Sequence, residues 1–117
     1  MNACSLIEHK LEAKVNAVLA SRPAADAGKL TVVYGGALHN DLHPDPALAP
    51  FSYGARAFHA TAGRYRELDL YVPAYVERKP AMRGEPWFPL WQRALAPGRP
   101  VLIRRSPDSF IVVFTED

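Results

Sequence analysis

Residues 30–43 have the sequence LTVVYGGALHNDLH. The first five, Leu30 to Tyr34, form a continuous run of apolar and β-branched side chains, which predicts a strand buried on both faces. Gly35 and Gly36 end this strand and let the backbone turn sharply at its carboxyl end. In open α/β sheets, ligands bind beyond the carboxyl ends of the strands. The polar residues that follow the glycines are therefore the first candidates for a functional site.

An amphipathic helix precedes this strand. Apolar side chains recur at steps of three and four along one stripe, namely Ile7, Leu11, Val15, Val18 and Leu19. Pro23 predicts that the helix ends near Ser21, because proline removes a backbone donor and clashes with the preceding turn. A helix, a short loop and a buried strand in this order are typical of α/β proteins with a mostly parallel sheet.

Two further helices are predicted downstream. The first lies within residues 52–62 and ends at Gly63, which suits the position after a helix. The second starts at Pro86, because proline is tolerated in a first helical turn. Its apolar residues are Trp87, Phe88, Leu90, Trp91 and Leu95. We expect the aromatic side chains of this helix to pack onto the core.

The remaining strands follow from alternation and from a turn. Residues 65–72 alternate as in a half-buried strand, with Leu68, Leu70 and Val72 on one side and Glu67, Asp69 and Tyr71 on the other. Residues 101–103 and 110–114 predict a hairpin, in which Pro107 and Asp108 suit the centre of a type I turn. The apolar return strand indicates a position inside the sheet. Arg104 and Arg105 are interpreted as a solvated strand end.

The sequence thus predicts a small layered α/β domain with a four-stranded, mostly parallel sheet that ends in a hairpin, and about three helices. The first two strands are expected to be parallel, through a right-handed crossover. A length of 117 residues supports one core, so residues 1–117 are assigned to a single domain. The alternative interpretation is that the chain is the C-terminal part of a longer protein.

Composition excludes several classes of protein. A content of 49% hydrophobic and 22% charged residues is typical of a globular domain. The net charge of +2 is too low for an extended nucleic-acid surface, so no nucleic-acid partner is expected. No apolar run approaches the length of a bilayer span, so no membrane partner is expected either. The single cysteine, Cys4, and the absence of a signal-peptide pattern favour a cytoplasmic location.

The candidate site consists of the polar residues beyond the predicted strand: His39, Asn40, Asp41 and His43. His39 offers a neutral imidazole as a metal ligand or as a proton acceptor near pH 7, and Asp41 or Asp69 would orient it through its other ring nitrogen. Pro44 disfavours a helix at His43, which weakens a metal site built from two histidines. Histidine, asparagine and aspartate are also ordinary turn residues, so a purely structural role stays open.

Several catalytic motifs are absent from the sequence. There is no G-x-G-x-x-G dinucleotide fingerprint and no Walker A lysine after Gly35 and Gly36, which argues against a phosphate cradle. There is also no G-x-S-x-G nucleophile elbow. Dinucleotide binding and serine-based catalysis are therefore not predicted.

The amphipathic helix, the strand Leu30–Tyr34 and the motif Gly36-Ala37-Leu38-His39 resemble the second half of the Tiki/ChaN-like and erythromycin-esterase-like proteins, in which a strand is followed by G-x-x-H. The resemblance covers about residues 1–43. It implies that His39 is the matching histidine and that Gly36 lets the backbone approach it. Members of this superfamily include haem-binding lipoproteins, metal-dependent proteases and esterases.

The resemblance implies a site for haem, a divalent metal or another small ligand after the first strand. His39 would be the metal ligand and, with Asp41, the catalytic residue of a metal-dependent or esterase-like hydrolase if the chain is an enzyme. The residues expected to contact the ligand are Gly36, Asn40, His43 and Asp69.

The glutamate and histidine motif of the family's first half has no counterpart in this sequence. This absence is consistent with a part of a longer protein, whose N-terminal half is missing, or with a domain that has no catalytic activity. The alternative function is therefore an interaction or oligomerisation domain. In that case, an exposed sheet edge or the aromatic helix would complete a homo-oligomer or a larger chain.

Overall fold

The computed structural model describes residues 3–26 and 28–115, without the side chains of residues 3–8, 12, 37 and 38. The helices are α1 (Ala3–Ala20), α2 (Ala37–Asn40), α3 (Gly54–Ala60), α4 (Pro73–Arg78), α5 (Pro80–Arg83) and α6 (Phe88–Ala94), and the strands are β1 (Glu67–Tyr71), β2 (Val101–Ser106) and β3 (Ser109–Val113). Short 3-10 turns occur at Ala24–Asp26 and Ala49–Phe51. The chain divides into two compact units, Met1–Tyr65 and Arg66–Asp117.

The first unit has a small apolar core between α1 and α3. Val15, Tyr53 and Ala57 are buried there. The side chains that pack against them are Leu11, Leu19, Val33 and Tyr65. The predicted first helix is confirmed, and it ends at Ala20, ahead of Pro23. Val18 is 42% exposed and lies off the buried stripe, while the side chain of Ile7 is outside the described part. The helix predicted within residues 52–62 is confirmed as α3.

The prediction of a buried strand at Leu30–Tyr34 is wrong. These residues belong to no strand, and Leu30, Val32 and Tyr34 are 87%, 76% and 90% exposed. A strand buried on both faces needs hydrogen-bonded neighbours and a covering layer. The described residues of the first unit contain no strand that could pair with this segment. Within this segment, the partly buried side chain of Val33 packs against the core between α1 and α3.

The sheet lies in the second unit and has three strands in the order β1-β3-β2. β1 runs parallel to β3, and β2 runs antiparallel to β3. The predicted hairpin and the central position of its return strand are therefore confirmed. The prediction of a four-stranded, mostly parallel sheet with a crossover between its first two strands is wrong, because the segment at residues 30–34 does not join the sheet.

The prediction of about three helices is also wrong, because the described residues form six α-helices. Three short helices account for the difference, namely α2, α4 and α5. Pro73 and Pro80 start α4 and α5 in first-turn positions, where the missing backbone donor costs nothing. Both helices therefore begin at a proline.

The core of the second unit lies on one face of the sheet. Its buried side chains are Val76, Trp87, Trp91, Val101, Ile103, Ile111 and Val113. The predicted aromatic helix is found as α6, which packs Trp91 into this core. Its predicted start at Pro86 is wrong, because α6 begins at Phe88 and the proline of its first turn is Pro89. The opposite face of the sheet is apolar and exposed. This outer sheet face includes Leu68, Leu70, Leu102 and Phe114, which are 51%, 47%, 66% and 44% exposed. The half-buried Phe110 and Val112 and the exposed Arg104 lie on the same face.

Strand β1 confirms the alternation predicted for residues 65–72, but its buried side carries the carboxylates. Glu67 and Asp69 are 1% and 4% exposed, whereas Leu68 and Leu70 point to the outer sheet face. Among the described residues, none of the helices combines the length and the hydropathy needed to cross a lipid bilayer.

Candidate functional site

His39 lies in the short helix α2, immediately after the exposed segment at residues 30–34. Gly36 precedes α2 with φ −74° and ψ 142°, an extended conformation that any residue adopts. A Cβ atom at Gly36 would meet no atom within 4 Å. The described geometry therefore gives no steric reason for glycine at position 36.

The imidazole of His39 is held by the backbone of a distant residue. Its Nδ1 lies 2.9 Å from the carbonyl oxygen of Phe51. Because a carbonyl oxygen only accepts hydrogen bonds, Nδ1 must carry the proton in this contact. In the neutral ring, Nε2 then has the free lone pair and acts as the acceptor or ligand. A backbone carbonyl on the other ring nitrogen is a common arrangement for histidines that bind metals or take up protons.

Residues 52–54 bind the backbone of the His39 turn and keep it in place. The amide of Tyr53 donates to the carbonyl of His39 at 2.9 Å. The hydroxyl of Ser52 donates to the carbonyl of Asp41 at 2.6 Å and accepts from the amide of Gly54 at 3.1 Å. Ser52 is 5% exposed, so these bonds satisfy a buried hydroxyl. We refer to residues 39–41 and 51–54 together as the His39 clasp.

Gly54 allows the two chain segments of the His39 clasp, residues 39–41 and 51–54, to approach each other. A Cβ atom at this position would overlap with the carbonyl oxygens of Asn40 and Asp41. Glycine is therefore required at position 54 for steric reasons and not for its backbone angles. Gly54 is the first residue of α3, and no pattern in the sequence indicated the residues that face it.

Two tyrosine side chains, Tyr53 within the His39 clasp and Tyr65 beside it, form further hydrogen bonds there. The hydroxyl of Tyr65 donates to the carbonyl of Asn40 at 2.8 Å. Burial raises the pKa of Tyr53, and a hydrogen bond with Tyr65 offsets part of this rise. The Tyr53 phenol is therefore neutral at physiological pH. The Tyr65 hydroxyl supports the turn that contains His39 through its bond to Asn40.

Asp41 and His43 lie on the same turn as His39. The carboxylate of Asp41 accepts a hydrogen bond from the amide of His43 at 2.9 Å, which is the Asx-turn geometry. The His43 side chain is exposed. The described partner of the His39 Nδ1 atom is the Phe51 carbonyl, and no described contact joins the His39 ring to Asp41. The catalytic role assigned to Asp41 and the ligand contacts assigned to Gly36, Asn40 and His43 stay predictions.

Asp69 lies in the second unit, where its carboxylate binds Arg105. Arg105 Nη1 is 3.1 Å from Asp69 Oδ2 and 3.7 Å from Glu67 Oε1. The pairs Arg104↔Phe110 and Ser106↔Ser109 leave Arg105 as the extra residue of a β-bulge. The interpretation of Arg105 as a solvated strand end therefore missed its role in charge pairing.

Haem iron and divalent cations differ in the number of ligands that they need from the protein. Among the described residues, no three or more histidine, cysteine, aspartate or glutamate side chains gather as metal ligands. A divalent cation held by protein groups alone commonly has three or four such ligands. Haem iron needs one axial donor from the protein, and the Nε2 atom of His39 is a donor of this kind. The described residues thus fit a single-donor role better than an all-protein metal site.

The chain matches no protein-family model, no curated protein and no solved structure.

Proposed function

We propose that the His39 clasp binds a small ligand through the Nε2 atom of His39, as a domain of the Tiki/ChaN-like kind. The observation that supports this most directly is the 2.9 Å contact between His39 Nδ1 and the Phe51 carbonyl. It selects the tautomer whose Nε2 atom accepts a proton or binds a metal. A cytoplasmic location belongs to the same proposal.

The His39 clasp is also preorganised for binding. The backbone bonds of Ser52 and Tyr53, together with the close approach at Gly54, hold the turn in one geometry before any ligand arrives. A side chain whose orientation is fixed loses less conformational entropy on binding. His39 is therefore better suited to bind a ligand than an exposed histidine on a free loop.

Haem is the first probe, because one imidazole nitrogen is enough to ligate its iron. We expect titration with ferric haem to give a Soret shift with the wild-type chain and to give none with His39→Ala. The His59→Ala variant is the matched control, because His59 is an exposed histidine at the end of α3 and lies outside the clasp. Circular dichroism should show the same spectrum for all three proteins.

The same comparison is made with Zn²⁺ and Ni²⁺ by calorimetry, since a metal could draw its other ligands from solvent or from a bound molecule. Binding of haem and of both metals that survives His39→Ala would contradict the proposal. Loss of binding in His59→Ala alone would contradict it as well.

The alternative function is an oligomerisation domain, and the outer sheet face favours it. Leu68, Leu70 and Leu102 lie there on the two edge strands and are at least 47% exposed. Contiguous exposed apolar area of this kind often marks a protein interface. The occupant we assign is a second copy of the chain, because a two-fold axis brings the same apolar patch against itself.

Light scattering after size exclusion tests this alternative directly. A dimer that becomes a monomer in Leu70→Lys, and stays a dimer in the control Leu90→Lys on α6, would support it. A wild-type monomer at all accessible concentrations would exclude it. The haem titration is independent of this result, because His39 does not belong to the sheet.

A further inference from the structure

A cleft of about 380 Å³ lies in the second unit, away from the His39 clasp. It is lined by Glu77, Arg83, Phe88, Trp91, Gln92 and Leu95. Phe88, Trp91 and Gln92 occupy positions i, i+3 and i+4 of α6 and lie on one face of it, which forms one wall of the cleft, and Leu95 follows directly after the helix end. The volume falls within the range that small-molecule sites occupy.

The aromatic side chains give this wall its apolar character. Trp91 is 2% exposed and anchors α6 to the core, and the rings of Phe88 and Trp91 lie 5.4 Å apart at a tilt of 57°. Phe88 is half-buried, so part of its ring faces the cleft. A third ring placed beside Phe88 would extend an aromatic cluster that already exists. Leu95 supplies an exposed apolar surface one turn further along.

The opposite wall carries one positive and one negative side chain. Arg83 Nη2 donates to the backbone carbonyl of Glu77 at 2.6 Å, which holds the guanidinium in place at the end of α4. The remaining guanidinium donors are left for another acceptor. In the part of the chain that the structure describes, neither Arg83 nor the Glu77 carboxylate forms an ion pair. The two charges therefore do not neutralise each other.

We propose that this cleft binds a small aromatic molecule that carries both a carboxylate and an ammonium group, as an aromatic amino acid does. The ring packs against Phe88 and Leu95, the carboxylate binds the guanidinium of Arg83, and the ammonium group faces the carboxylate of Glu77. Arg83 gives the larger contribution, because a guanidinium held by a backbone carbonyl is already oriented toward a planar carboxylate. The amide of Gln92 adds a neutral hydrogen-bonding group at the same wall.

Three probes that share a phenyl ring separate the contributions of the two charges: phenylalanine, phenylacetate and phenethylamine. Binding is measured by shifts of backbone and side-chain amide signals in nuclear magnetic resonance. It is also measured by the fluorescence of Trp87 and Trp91, because the probes contain no indole group. We expect phenylalanine to bind most tightly and to shift the signals of Gln92 and Leu95.

Two variants and one control test the assignment of the charged residues. Arg83→Gln should weaken phenylalanine about tenfold and leave phenethylamine unchanged. Glu77→Gln should remove the advantage of phenylalanine over phenylacetate. Arg78→Gln is the matched control, because Arg78 is an exposed arginine on α4 that does not line the cleft. Equal binding of the three probes, or signal shifts confined to residues outside the cleft, would overturn the proposal. Neither outcome bears on the His39 clasp.

Discussion

Arg105 Nη1 lies 3.1 Å from Asp69 Oδ2, and this contact joins the two edge strands of the sheet across the central strand β3. Glu67 on β1 lies 3.7 Å from the same nitrogen. Ser109, which is fully buried, sits opposite both Glu67 and Ser106 in the register of β3. A small side chain at this point leaves room for the arginine to reach the carboxylates, and the bulge at Arg105 redirects its side chain toward them.

Replacement of Arg105 by methionine should destabilise the second unit by about 3 kcal/mol, because it removes the positive charge that Arg105 places beside two buried carboxylates. Urea unfolding followed by circular dichroism measures this loss. The double variant Arg105→Met with Asp69→Asn should cost less than the sum of the single variants, since the lost charge pair is then counted once. Arg104→Met is the control for an exposed arginine on the same strand. A loss for Arg104→Met as large as that for Arg105→Met would contradict this account.

The two faces of the sheet should respond differently to truncation. Ile111→Ala removes a fully buried side chain of β3 and should cost about 2–5 kcal/mol. Leu102→Ala, on the outer sheet face with 66% exposure, should change the free energy of unfolding by about 0.5 kcal/mol or less in a monomer. Thermal unfolding of both variants tests the assignment. A large cost at Leu102 would indicate that another surface covers the outer sheet face in solution.

Gly54→Ala should open the His39 clasp. The added methyl group overlaps with the backbone carbonyls of Asn40 and Asp41, which cannot yield as a flexible side chain would. We expect a loss of about 1–3 kcal/mol and a change in the ring signals of His39 in nuclear magnetic resonance. Gly28→Ala serves as the control, because a Cβ atom there meets nothing within 4 Å. Unchanged His39 signals in Gly54→Ala would show that the clasp does not position the ring.

The stability of the second unit should fall at high pH because of Tyr71. Burial, followed by the negative charge of Asp69, raises the pKa of Tyr71 from 10.0 to about 12. The phenol is therefore neutral in the folded chain at a pH where it already ionises in the unfolded chain. Its contribution is complete below pH 10 and is lost as the pH rises toward 12.

Unfolding of the wild type and of Tyr71→Phe between pH 9 and pH 12 isolates this contribution, because other groups titrate equally in both proteins. The wild type should lose stability relative to the variant across this range. In an ultraviolet absorbance titration, the variant should also lack one tyrosine that ionises only at high pH. A constant difference in stability between the two proteins would contradict the raised pKa.

Local sequence patterns predicted those elements whose partners are close along the chain. The hairpin around Pro107 and Asp108 needs two neighbouring strands and a turn, and all three are encoded within 14 residues, 101–114. Helix α1 needs one apolar stripe and a stopping proline. The unbroken apolar run of residues 110–114 predicted the central position of β3, which lies between β1 and β2.

Sequence patterns predicted less well those features whose partners lie far away along the chain. The apolar run at Leu30–Tyr34 is strand-like in composition, yet a strand exists only where another backbone pairs with it, and the described residues of its unit offer none. The candidate site shows the same limit. The sequence pointed to His39, but its partner Phe51 lies 12 residues away and contributes only a backbone carbonyl, which no side-chain pattern reveals.

The sequence by itself determined that residues 67–72 alternate between an apolar and an acidic side, because adjacent side chains of a strand must point in opposite directions. Only the tertiary structure decided which side is buried. Leu68 and Leu70 would bury more apolar surface, but Arg105, 36 residues from Asp69, supplies the charge that makes the acidic side fit the interior. Buried carboxylates require a cation, and the fold brings that cation to them through a bulge on another strand.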